Sequence, residues 1–139
     1  MLPTKRIREK KMAKGPEEWF KQAEYDIKTA EAMFAARRYV YVVFMCHLSI
    51  EKALKGLYSQ ELNKIPPRTH NLLILIEKIR IEIPEDLYDF VFGLNGVSVP
   101  TRYPEDIEKM KKDYSRKKTE LMLEKSKGFL KWLKRKLER

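Results

Sequence analysis

Arg102 and Tyr103 stand side by side between Pro100 and Pro104, the pair in this sequence best typed to receive a phosphorylated ligand. Arginine offers a planar fork that matches phosphate oxygens two at a time, and a tyrosine ring offers a face on which a base stacks. Each proline disfavours helix at the residue before it, so a stiffened loop is predicted to hold the pair. The alternative use of Arg102 is structural, tying that loop to a helix through a carboxylate such as Glu51. His70 follows Thr69 at the expected start of a helix, where free backbone N–H groups favour an anion. Its plainer use is a local hydrogen bond that packs the loop. Lys52 and Lys55 lie three apart on a largely apolar segment, so each needs an anion or a route to water. Lys55 has a candidate partner in Glu51, four residues earlier on the same helix. No residue is assigned a catalytic role.

Other reactive side chains read as structure. His47 and Cys46 sit on an apolar helical segment, the first as a satisfied core histidine and the second as a small buried hydrophobe. Glu105-Asp106 reads as an exposed helix start. A single cysteine excludes an intramolecular disulfide framework and a cysteine-based zinc site, and two histidines leave little room for a multi-histidine metal centre. The phosphate loop GxxxxGK[ST], the dinucleotide turn GxGxxG and the HExxH metal motif are all absent. No metal and no cofactor is implied.

Charge is concentrated at the ends. The chain has net charge +10, distributed as +5 over residues 1–14, −4 over 15–108 and +9 over 109–139. Two basic ends on a mildly acidic body suit a polyanion, most simply nucleic acid, and equally suit a solvated tail and helix face. The longest apolar stretch, Tyr39–Leu48, is half the length a membrane-spanning helix needs, and the basic N-terminus lacks the apolar core of a signal peptide. The reading is a cytoplasmic protein with no membrane role.

The elements that must hold these residues are helical. Hydrophobic residues make up 43% of the 139 residues, enough for one domain with a packed core. Residues 1–15 read as a flexible basic arm closed by Gly15-Pro16, and residues 16–139 as a helical-bundle domain. Phe20, Ala23, Ile27, Ala30 and Phe34 recur at the spacing of one helix face, as do Val43, Cys46, Ile50, Ala53 and Leu57. The second of these helices, running from Tyr39 to about Asn63, is apolar all round at its start and is expected at the centre of the bundle. Thr69 is expected to cap a third helix that Pro84 stops, a short fourth is expected over 85–94, and a basic last helix is expected from about Ser115. The fold class is all-α, an antiparallel up-and-down bundle of four to five main helices.

Four segments in order give a resemblance. Trp19-Phe-Lys-Gln-Ala-Glu-Tyr-Asp-Ile27, Ser49-Ile-Glu-Lys-Ala-Leu-Lys-Gly-Leu-Tyr58, Pro67-Arg-Thr-His-Asn-Leu72 and Arg102-Tyr-Pro104 together resemble the HEPN domain family, small prokaryotic helical bundles. The resemblance covers residues 17–135. It implies a homodimer, partnership with a minimal nucleotidyltransferase in a toxin–antitoxin-type pair, nucleotide binding, and in some members RNA cleavage. The cleaving members carry an Arg, four to six residues, then a His. Neither His47 nor His70 has an Arg at that spacing before it, and no histidine follows Arg102. The expectation is a regulatory module that binds nucleotide or RNA phosphate through Arg102, Tyr103, His70, Lys52 and Lys55. The alternatives are a toxin ribonuclease with a nonstandard site and a non-specific nucleic-acid binder acting through the basic termini.

Overall fold

Pro16 starts the first helix because its missing N–H has no partner in a first turn, and Glu17 and Glu18 face the positive end of the dipole. The computed structural model describes residues 14–138. Among these residues there are seven helices and no strand: α1 Pro16–Ala35, α2 Tyr39–Leu62, α3 Leu72–Ile79, α4 Glu85–Gly96, α5 Ser98–Arg102, α6 Ile107–Asp113 and α7 Arg116–Leu137. The flexible arm expected over residues 1–15 lies outside the described residues except for Lys14 and Gly15.

The central helix is α2, with α1 and α7 laid along it and α3, α5 and α6 against its remaining sides. Ile50, Leu54 and Leu57 of α2 meet Phe129 and Leu133 of α7 and Leu72 and Leu75 of α3 in one core. Small side chains let α1 approach closely: Ala23, Ala30 and Ala53 are buried, and Ser49 Oγ donates to the Ala23 carbonyl at 2.7 Å. A Cβ on Gly56 would stand 3.0 Å from both the Pro16 carbonyl oxygen and Trp19 Cβ, so only glycine fits that contact as built. No helix among the described residues is long and apolar enough to cross a membrane.

The α1–α2 turn is closed by a residue of unfavourable type. The Arg38 N–H donates to the Met33 carbonyl at 2.8 Å and the Arg37 N–H to the Phe34 carbonyl at 3.0 Å, with Arg37 at φ 60°. That is the left-handed helix terminator in which glycine is preferred, since a Cβ is crowded there. Arg37→Gly is therefore expected to raise stability by about 0.5–1 kcal/mol, read as a higher urea midpoint at unchanged slope.

The ends of α3 differ from expectation. Asn71, not Thr69, is the cap: its Oδ1 accepts from the N–H groups of Leu73 at 3.0 Å and Ile74 at 3.2 Å, while Thr69 Oγ1 accepts from the Asn71 N–H. Asn95 near the end of α4 completes the set, accepting from the Leu72 N–H at 2.8 Å and donating to Asn71 Oδ1 at 3.2 Å. The helix stops at Arg80, four residues before Pro84, because Arg80 takes a left-handed conformation, φ 61°.

The proline loop is also corrected. Ser98–Arg102 is a short helix, with the Thr101 N–H donating to Val97 at 3.1 Å and the Tyr103 N–H to Val99 at 2.9 Å. Pro100 falls in its first turn, where no intrahelical donor is needed, so the rule against proline does not apply. Only Pro104, just beyond, terminates. Arg102 is thus the last residue of a helix and not part of a loop.

Candidate functional site

Three polar side chains one turn apart run down the apolar helix α2: His47, Glu51 and Lys55. All three are buried, at 0, 3 and 8% exposure. Glu51 holds them together. Its Oε2 accepts from Lys55 Nζ at 3.1 Å, and its Oε1 lies 2.8 Å from His70 Nδ1 and 3.9 Å from His47 Nδ1. A buried carboxylate must be paired, and this one is shared between a lysine of its own helix and a histidine from the α2–α3 connection. The pairing of Lys55 with Glu51 is the plainer of its two expected uses. The partner of His70 is long-range, not local.

His70 is the exposed member, with 58% of its side chain open to solvent. The Glu51 carboxylate accepts, so Nδ1 carries the proton and Nε2 is left facing outward. A carboxylate behind an imidazole fixes ring and tautomer and leaves the second nitrogen to accept or share a proton.

His47 is buried, as expected; neither ring nitrogen makes a hydrogen bond of full geometry, the Glu51 carboxylate lying 3.9 Å from Nδ1 and the His70 backbone offering only a weak bond. Its pKa is pushed down from 6.5 to about 4. Burial is the main cause; the Glu51 carboxylate opposes it and the Arg102 guanidinium reinforces it. The neighbouring Cys46 is an inert thiol, pushed up to about 12 by burial.

Arg102 reaches this cluster from the end of α5. Its guanidinium carbon stands 4.7 Å from the centre of the Phe44 ring, one turn before His47, a cation–π contact that fixes its plane. Nη2 is buried without a hydrogen-bond partner. The expected alternative, a tie to Glu51, is not made, since the Glu51 oxygens go to Lys55 and His70. A buried guanidinium nitrogen with no acceptor is a donor in want of an oxyanion. Tyr103 follows it, 73% exposed at the rim.

The structure therefore brings Lys55 and His70 together through Glu51, sets Arg102 beside His47, and leaves Tyr103 at the edge. It does not bring Lys52 in. Lys52 Nζ forms an ion pair with Asp26 Oδ2 of α1 at 2.8 Å, and Asp26 is 5% exposed, so that pair is a cross-link between α1 and α2. Sequence reasoning missed Glu51 as the centre, along with Asp26 and Phe44. The signal for Glu51 was present: residues 47, 51 and 55 form a polar stripe at helical spacing on a largely apolar helix.

Known proteins share this architecture. The family model described as HEPN domain matches residues 16–137. The crystal structure of TT1696 from Thermus thermophilus has a similar fold, with TM-score 0.74 and 23% identity, covering 87% of this chain and 97% of that one. So has ST0689, an archaeal HEPN homologue, with TM-score 0.70 and 25% identity, covering 89% of this chain and 98% of that one. No curated protein is significantly similar in sequence.

Proposed function

The chain belongs to the HEPN domain family, and on that premise we propose that it is a nucleotide- or RNA-phosphate-binding regulatory module. It works as a cytoplasmic homodimer with a minimal nucleotidyltransferase, in a toxin–antitoxin-type system. Residues 16–139 are its working domain, and the basic arm of residues 1–15 adds sequence-blind attraction to a polyanion.

The buried, unpartnered Nη2 of Arg102 carries this reading. A phosphate seated there receives the guanidinium, with His70 on the neighbouring connection donating from Nε2 in its protonated form and the exposed Tyr103 ring for a base. Lys55 keeps the site positive from behind Glu51, while Lys52 serves through the α1–α2 packing and not by contact.

The experiment is RNA and nucleotide binding by the purified protein, wild type beside Arg102→Ala, across a salt series. Loss of one charge-assisted contact set is expected to weaken binding about tenfold or more. Unchanged affinity for nucleotide, RNA and the nucleotidyltransferase alike overturns the assignment.

One observation favours a second reading, a ribonuclease with a nonstandard site. The Glu51–His70 pair has the geometry of a carboxylate-backed general base. Cleavage of RNA by the same preparation, lost in Arg102→Ala and in His70→Ala, would place the protein there.

A further inference from the structure

A second cationic concavity lies where the α1–α2 turn meets α6, outside the Arg102 site. The cavity, about 310 Å³, is lined by Arg37, Arg38, Tyr39, Tyr41, Ile107 and Lys111, with Glu108 its one carboxylate. Glu108 is 3.4 Å from Lys111, and both are exposed, a pairing that water weakens. Among the described residues neither Arg37 nor Arg38 has a carboxylate within ion-pair distance. Arg116, stacked 5.3 Å over Phe34, adds positive charge from α7 beside the same turn.

Like charges gathered in a concavity repel one another and focus an attractive field on an incoming anion. The volume is at the lower end for small-molecule sites, about 300–1,000 Å³, and is too large for one phosphate to fill. The walls are specific as well. The Tyr39 ring is held against Phe34 at 5.6 Å, a fixed side to the cavity, while Tyr41, also in the lining, is 48% exposed. Three cations and one half-exposed ring match a ligand with clustered negative charge joined to something flat.

We propose that this cavity binds an organic pyrophosphate, its phosphates on Arg37, Arg38 and Lys111 and its flat ring on Tyr41. The site is separate from the Arg102 site, and Arg102 takes no part in it.

The test is calorimetric titration of the full chain with ADP, AMP and inorganic pyrophosphate, carried out in Arg102→Ala so that the first site does not contribute. ADP is expected to bind more tightly than AMP, which lacks the second phosphate, and than pyrophosphate, which lacks the ring. Adding Arg37→Gly removes one cation and also relieves the left-handed backbone, so the fold is kept. That variant, and separately Lys111→Ala, are each expected to weaken ADP about tenfold or more. No ADP binding in Arg102→Ala, or binding that neither added variant weakens, overturns the proposal. Pyrophosphate bound as tightly as ADP overturns the part assigned to Tyr41.

Discussion

Glu51→Ala is expected to destabilise the protein by about 3–5 kcal/mol, the usual cost of removing one partner of a buried ion pair. The carboxylate is 3% exposed and its two oxygens serve Lys55 and His70. Without it the Lys55 ammonium stays buried, with only the Trp19 ring 5.8 Å away as a weak substitute. Most of the loss belongs to the stranded cation and not to the attraction itself. The double variant Glu51→Ala/Lys55→Met should therefore recover most of the stability. Urea unfolding of the two single variants and the double closes the cycle. A single-variant loss under about 1 kcal/mol would mean that Lys55 escapes to water and that Glu51 does not organise the site.

The second large effect is acid sensitivity centred on His47. Its folded pKa of about 4 lies below the ordinary 6.5, so the unfolded chain takes up the proton first. Stability from this residue is fully present above pH 6.5 and is lost as pH falls from 6.5 to about 4. Across that interval the loss amounts to about 3 kcal/mol. His47→Leu, close in volume and without a titrating group, should remove the slope. The difference in unfolding free energy between wild type and variant, followed from pH 7.5 to 4, cancels the groups the two proteins share. A difference that stays constant over that range would mean that His47 takes up its proton at the same pH folded as unfolded, and a His47 that charges below pH 6.5 beside Arg102 would change the electrostatics of the whole site.

The long helices are readable in the sequence because each spends a continuous apolar face on the core. Phe20, Ala23, Ile27 and Ala30 in α1 and Cys46, Ile50, Ala53 and Leu57 in α2 are all buried. In α7, Ser115 caps, and Ser126, Phe129 and Leu133 lie inward as their spacing requires. Local rules fail where position within an element decides. Proline in sequence reads as a breaker, yet Pro100 in a first turn breaks nothing. Arg80 ends α3 in a conformation that residue type does not signal. The site is legible as a set of residue types and illegible as an arrangement. Arg102, His70 and Lys55 stand out by type, but their order around Glu51 depends on which faces of α2 the connection and α5 cover. Lys52 and Lys55, three apart in sequence, are divided by the packing: one turns to Asp26 on α1, the other to Glu51.

The clamp between Asn71 and Asn95 bears on how the fold opens. The helix α3 has eight residues, too few to persist alone in water. Three of its first N–H groups are satisfied by two side chains, and one of those arrives from 24 positions along the chain. The Leu72 donor meets its protein acceptor only when α4 is docked, so α3 and α4 are expected to open together as one cooperative unit. That unit also carries the connection from which His70 reaches Glu51. The cluster around Glu51 is then expected to lose His70 when that unit opens on its own.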